Sequence, residues 1–316
     1  GGMSWHFLFP AMIILGFAFA FSGGGRPAYK VGVHPPEALE DSAAFPLLAT
    51  RYLEFIPVDN LDDAISKVSR HQLDILVSRQ SVVRYWINEE SQKGHLAEKV
   101  LLGSYDGALT KEIVGGKQVR YVDWLVPGIL AMNMMFSALF GVGWMIVRYR
   151  KVGYLKRLKA TPTRAYEFLI GQILSRLVVI MGSSTVVFAG SWALIRFPVN
   201  GSVLLLALVF AVGTFCLISL GLVFAARFTN EELVGGLLNF LTWPMMFLSG
   251  VWFSLEGVNP MLRKAALAFP LTHIVNAARG IMIDGETIVD VIPELSILSI
   301  LSIALLAVGS ALFKWE

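Results

Sequence analysis

Apolar positions along the chain fall into blocks of about 20 residues almost free of charge, the length an α-helix needs to cross roughly 30 Å of hydrocarbon. Six blocks predict six membrane spans: 7–22, 125–147, 168–195, 203–226, 233–253 and 292–313. The second contains no charge between Trp124 and Arg148. Pro10 is tolerated in the first turn of the first span, and Gly23, Gly24 and Gly25 end it. Segment 7–21 could be read as a leader core, but no charged region precedes it and no convincing cleavage site follows, so it reads as the first span. The opening Gly-Gly-Met is read as a chain without its native N-terminal segment. Between the fifth and sixth spans, residues 261–283 are too charged, and too broken by Pro270, to cross. They predict a pair of short re-entrant helices within an outer segment 255–285.

The long polar interval after the first span has another rhythm. Short branched runs at 29–33, 55–58 and 74–78 predict strands. Stretches 42–53 and 61–73 predict helices, the second with Asp59 or Asn60 as its N-cap. Strands alternating with helices predict a small α/β domain. The expected fold is therefore an α-helical polytopic membrane protein of six transmembrane helices. A small α/β extracytoplasmic domain lies between helices 1 and 2. The expected boundaries are 1–25 for the first span, 26–121 for the α/β domain and 122–316 for the five-span domain.

Composition and charge sharpen this reading. Hydrophobic residues make up 55% of the chain and charged residues 16%, against about 25% charge in ordinary soluble domains. The lone cysteine, Cys216, lies inside an apolar block and rules out an intrachain disulfide. The connection 148–165 carries Arg148, Arg150, Lys151, Lys156, Arg157, Lys159 and Arg164 and no acid up to that last arginine. Short basic loops stay in the cytoplasm. Alternation then places both termini inside and the α/β domain outside; the expected membrane is a bacterial cytoplasmic (inner) one.

Catalytic chemistry is missing from the sequence pattern. No Gly-x-x-x-x-Gly-Lys-Ser/Thr cradles ATP phosphates, and His6, His34, His71, His95 and His273 lack metal-ligand spacing. His273 reads as a hydrogen-bonded structural residue. No cofactor or metal is expected on this chain, and no nucleic-acid partner. Arg176, about two turns inside the third span, either snorkels or bonds a neighbouring helix, or else touches a substrate.

Three pieces of sequence carry a family resemblance. Asp123-Trp124-Leu125-Val126-Pro127-Gly128 opens the second span. The basic loop ends Gly153-Tyr154-Leu155-Lys156-Arg157-Leu158-Lys159-Ala160-Thr161-Pro162. Further on come Phe247-Leu248-Ser249-Gly250-Val251-Trp252-Phe253, Phe269-Pro270-Leu271-Thr272-His273 and Ala278-Arg279-Gly280. In this order the chain resembles the ABC-2-type permeases, the membrane subunits of type V, G-subfamily-like ABC exporters. Unlike many members, it has no acidic residue in the basic loop.

That resemblance implies a homodimer, or a dimer with a paralogous permease, set in membrane lipids. Two copies of a separate ATP-binding cassette subunit would hold the ATP and Mg. It implies a coupling helix at Gly153, Tyr154, Leu155, Leu158, Thr161 and Pro162, the glycine and proline shaping the turn and the leucines packing it. From the residues alone, the same loop reads equally as a positive-inside anchor on lipid headgroups. The implied substrate path runs between two copies of the second and fifth spans, along Asn133, Phe136 and Phe140 and along Asn239, Phe240, Trp243, Met246 and Phe247. Amides in a span face protein or a cavity rather than lipid, which favours Asn133 and Asn239. Pro244 is expected to bend the fifth span beside Trp243 and Phe247, which either plug the path or merely pack. The implied function is export of a hydrophobic or amphipathic cargo such as a drug, lipid or glycolipid. A non-transporting signalling or mechanotransmission subunit is the alternative. A secondary transporter is the other, disfavoured because only Arg176 and the marginal Glu294 are ionisable within the spans.

Overall fold

The computed structural model describes residues 29–39, 46–50, 53–79, 83–105, 107–116, 119–160, 165–228, 230–253, 255 and 259–312. The first predicted span lies outside them. The described residues divide into two compact units, one within Gly23–Arg120 and one within Tyr121–Glu316.

The first unit is built on a five-stranded sheet in the order β2-β1-β3-β4-β5. Its strands are β1 (Tyr29–His34), β2 (Leu53–Pro57), β3 (Ile75–Arg79), β4 (Val83–Ile87) and β5 (Leu109–Ile113). All neighbours run parallel except β3 and β4. Successive side chains on a strand point to opposite faces. Thus Val31, Val33, Ile75, Val77, Tyr85 and Ile87 meet Ala97 and Leu101 of helix α2 (Gln92–Ser104) on one face. On the other, Leu76 and Trp86 meet Ala64 and Val68 of helix α1 (Leu61–Ser69). Asn60, one of the two residues expected to cap α1, does so by accepting from the amides of Asp62 and Asp63.

The helix predicted at 42–53 is not there among the described residues. Pro46–Ala49 is a single 3-10 turn, and Leu53 already belongs to β2, paired with Tyr29. Pro46 falls past the first turn of that stretch, where it removes a helical hydrogen bond, and pairing with β1 claims the residues that follow. Beyond the three predicted strands, the sheet gains β4 and β5, with α2 between them.

A buried carboxylate ties α2 to the sheet. Glu98 accepts from Tyr85 Oη at 2.9 Å and pairs with Lys111 Nζ at 2.8 Å. Burial works against its ionisation, but the bonds from Lys111 and Tyr85 outweigh that and pull its pKa below the ordinary glutamate value. Burial and the adjacent Glu98 push the Tyr85 hydroxyl up to about 12. A depressed carboxylate stabilises the fold above its unfolded pKa, near 4.3, and that contribution is lost as the pH falls through the folded value. In the intact chain, the urea midpoint of this unit should exceed that of Glu98→Gln at neutral pH. The gap should close on acidification below about pH 4. A gap independent of pH would overturn this account.

The second unit is helical. Its members are α3 (Tyr121–Lys151), α4 (Tyr154–Lys159), α5 (Ala165–Ile195), α6 (Val203–Arg227), α7 (Glu231–Leu248), α8 (Pro260–Ala266), α9 (Pro270–Arg279) and α10 (Ile288–Leu312). Four described helices are long and apolar enough to cross a membrane: α3, α5, α6 and α10. The fifth predicted span is α7, 18 residues long and opening on Glu231 and Glu232. It begins earlier than expected because Asn230 caps it, accepting from the Glu232 and Leu233 amides. It also stops at Leu248 rather than 253, where Ser249 and Gly250 turn the chain, Gly250 with φ of +71°. Pro244 sits inside α7 without ending it.

Helix α3 is central, packing on α5, α6, α7 and α9, while α10 lies against α6. Small residues make the close approaches: a Cβ on Gly143 would come within 2.7 Å of Leu238, and one on Gly221 within 3.2 Å of the Leu139 carbonyl. The expected pair of short helices at 255–285 is α8 and α9, the latter running on into a π-turn at Gly280–Asp284. As expected of a structural histidine, His273 Nε2 lies 2.9 Å from the Leu267 carbonyl oxygen.

Candidate functional site

The pieces of sequence flanking the basic loop meet in space at one end of α3. Pro127 lies inside α3 rather than opening it, because the helix starts at Tyr121, whose ring stacks on Trp124 and whose hydroxyl donates to Trp252 O at 2.9 Å. The Arg279 guanidinium lies 3.5 Å from the centre of the Trp124 ring. Its Nε donates to Trp124 O at 3.1 Å and its Nη2 to Val251 O at 3.3 Å. Gly128 leaves room for that approach; a Cβ there would sit 3.1 Å from Val251 O. Thr272 Oγ1 donates to Ala266 O at 2.6 Å and lies 3.0 Å from Ser249 Oγ. One polar cluster thus ties α3, the turn after α7, and α9 together.

At the other end, α3 passes into α4 through a tight corner. Gly153 adopts φ of +72°, a conformation that costs glycine nothing, and its N–H donates to Arg150 O at 3.1 Å. The rings of Tyr149 and Tyr154 touch, 4.9 Å between centroids. Lys151, Val152, Tyr154, Lys156 and Arg157 are exposed, so the outward side of the corner is basic with two apolar groups. Leu155, expected to pack the turn, is fully buried, and Leu158 is half-buried. A six-residue helix has only one outward side, and the charged residues claim it. Thr161 and Pro162 lie outside the described residues. Arg150, counted in the sequence only as one of several loop cations, is 8% exposed and donates to three carbonyls at the end of α6.

Between these ends runs an aromatic face. Helix α7 returns along α3, with Lys151 beside Glu231, Gly143 against Leu238 and Gly128 against Val251 at successive levels. On α3, Asn133 is exposed, Phe136 and Phe140 stack at 6.0 Å, and Phe140 meets Trp144 edge-on at 5.4 Å. Spacings of three and four residues put these side chains on one face. On α7, Phe240 is 58% exposed, and Trp243 stacks on Phe247 at 6.2 Å. Trp144, absent from the expected set, continues the ladder; its spacing from Phe140 was the signal available. Met246 does not join it: it is buried, turned toward the protein as α7's rotation demands. Asn239 is half-buried, and its Nδ2 donates to Gly235 O of its own helix at 2.9 Å. Arg176 reaches α3 and donates from Nη2 to Met145 Sδ at 2.9 Å, a helix–helix bond.

A family model described as ABC-2 type transporter matches residues 71–283, a range that includes α3 to α9, both corners of α3 and the aromatic face. The chain belongs to the ABC-2 type transporter family.

Two curated relatives of this ABC-2 chain illustrate the range of the likeness. It is 26% identical over 189 residues to the inner membrane transport permease YhhJ of Escherichia coli, covering 59% of this chain and 49% of that protein. It is 26% identical over 177 residues to ABC transporter G family member 20 of Dictyostelium discoideum, covering 56% of this chain and 24% of that protein. The chain thus spans about half the length of the bacterial relative and about a quarter of the other.

Proposed function

We propose that this chain is the membrane permease subunit of an ATP-driven exporter of a hydrophobic or amphipathic cargo, such as a drug, lipid or glycolipid. The observation that carries the reading is the corner between α3 and α4. Its outward side is basic and aromatic, while its inward residues are locked to the transmembrane helices, as a docking turn that transmits force requires. ATP hydrolysis belongs to a separate ATP-binding cassette subunit, two copies of which dock on that corner. Two permease copies, identical or paralogous, face each other across the aromatic faces of α3 and α7. Asn133, Phe136, Phe140, Phe240, Trp243 and Phe247 line the path between them, with Trp144 added at its cytoplasmic end. The α/β unit is extracytoplasmic, both termini are cytoplasmic, and the membrane is the bacterial inner one. The likeness to a bacterial inner membrane transport permease and the apolar helices support that location.

Purification of the tagged chain from its native membrane tests the assignment. A P-loop ATPase should accompany it, with vanadate-sensitive hydrolysis stimulated by an amphipathic dye or a fluorescently tagged phospholipid. Its absence would end this reading. The aromatic face gives a finer test. Phe240 is exposed, so Phe240→Ala should leave the melting temperature within a degree or two, since surface substitutions shift stability by no more than about 0.5 kcal/mol. Cargo-stimulated ATPase should nevertheless fall several-fold. Normal stimulation with a lowered melting temperature would make Phe240 a packing residue only.

A further inference from the structure

We propose that Arg150 is the positioning residue that makes the docking corner, α3 and the cytoplasmic end of α6 move as one body. The proposal rests on the permease reading above and names the route by which force leaves the corner.

The geometry is specific. Arg150 Nη1 donates to Ala225 O at 3.2 Å and to Phe228 O at 2.7 Å, and Nη2 donates to Ala226 O at 3.0 Å. These carbonyls end α6 (Val203–Arg227) and begin the link to α7. They are the groups a helix leaves without intrahelical partners, at the negative end of its dipole. A cation from another helix therefore caps α6 in place of its own residues.

The same residue holds the corner from its backbone, because the Gly153 N–H donates to Arg150 O. Its carbonyl thus fixes the turn into α4, and its side chain fixes α6. The Phe228 carbonyl lies in the link just before Asn230 caps α7, and Lys151 Nζ lies 3.7 Å from Glu231 on α7's first turn. Arg150 and its neighbour Lys151 thus connect α3 with α4, α6 and α7.

Burial separates this role from that of a lipid anchor. A basic residue retained to meet headgroups stands in the interface. Arg148, Lys151, Lys156 and Arg157 do so and are exposed, whereas Arg150 is turned inward. The planar fork of guanidinium suits several fixed carbonyls at once, which a single ammonium does not. Without the clamp, a push on α4 would be absorbed at Gly153 or as slip between α3 and α6.

The test uses the permease with its ATP-binding subunit in nanodiscs, in a Cys216→Ala background. Spin labels are placed at Ala160→Cys, exposed at the end of α4, and at Leu204→Cys, which is 82% exposed at the far end of α6. The label distance is measured without nucleotide and after trapping with ATP and vanadate. With Arg150 present it should change by less than about 3 Å, half a helical turn. In Arg150→Met it should change by more. Arg150→Lys should show a smaller shift in the same direction, and it carries the comparison if Arg150→Met does not accumulate. If the substituted protein tracks the parent in both states, even at a lower melting temperature, the clamp is only a structural cap and the proposal falls. A parent distance that itself changes on trapping also overturns it. A complex without vanadate-sensitive ATPase would instead remove the permease reading, and this proposal with it.

Discussion

Leu155→Asp is expected to leave almost no folded protein, whereas Lys156→Asp and Arg157→Asp, its immediate neighbours, should fold normally. Leu155 is fully buried beneath the corner between α3 and α4, and the two basic residues are exposed. Truncating a buried leucine to alanine costs about 2–5 kcal/mol. An uncompensated buried carboxylate adds a penalty of several kcal/mol more unless it takes up a proton. Exposed substitutions change stability by no more than about 0.5 kcal/mol. Function should show the reverse order. Charge reversal at Lys156 and Arg157 should weaken retention of the ATP-binding subunit, because their charges face outward. Detergent melting curves and pull-down of that subunit check both halves. A Leu155→Asp protein with the parental melting temperature would show that the corner is looser than its packing implies. Lys156→Asp and Arg157→Asp proteins that retain the subunit at high salt as the parent does would place docking elsewhere.

The second large effect is expected at the opposite end of α3. Arg279→Met keeps the side chain's stem but removes the cation over Trp124 and both bonds to the carbonyls of Trp124 and Val251. A desolvated cation–π contact contributes about 2 kcal/mol. Each hydrogen bond from a charged donor contributes roughly 1.5–3 kcal/mol, and the stranded carbonyls add a desolvation cost. These contributions overlap, so the expected loss is on the order of 3–5 kcal/mol rather than their sum. Arg279→Lys should recover only part, because an ammonium cannot stack flat on the indole and bond sideways at once. Gly128→Val approaches the same cluster from α3: a Cβ there already meets Val251 O at 3.1 Å and Arg279 Nη2 at 3.2 Å. It should destabilise by displacing the same guanidinium. If Arg279→Met melts like the parent, the cluster is held by apolar packing of α9 alone.

Much of the helical unit was legible before any coordinates. Blocks almost free of charge marked α3, α5, α6 and α10 to within a few residues, because crossing a bilayer demands length and apolarity from consecutive positions. Proline and glycine marked the turns: Pro260 and Pro270 open α8 and α9, and Gly153 and Gly250 take left-handed backbone at the corners. In the α/β unit, β1 and β3 and the start of α1 were legible from branched runs and an Asn cap. Strands β4 and β5 carry a weaker signal in Val83–Ile87 and Leu109–Ile113, where Arg84, Lys111 and Glu112 interrupt the apolar positions.

The direction each side chain takes was another matter. In a soluble helix the polar stripe shows which face is buried, but a membrane helix is apolar all round, and its periodicity carries no direction. That is why Met246 was expected on an open face and turned out buried, and why Trp144 was not in the expected set. Nor does local pattern say which distant groups meet: Arg279 reaches Trp124 across 155 residues, and Arg150 reaches Ala225 across 75. The sequence by itself determined that the chain is built of membrane-length helices with a separate α/β segment and one basic corner, since composition and spacing suffice for those. Only the tertiary structure decided which arginines clamp helices together and which aromatic residues stay uncovered, because both depend on how each helix is rotated against its neighbours.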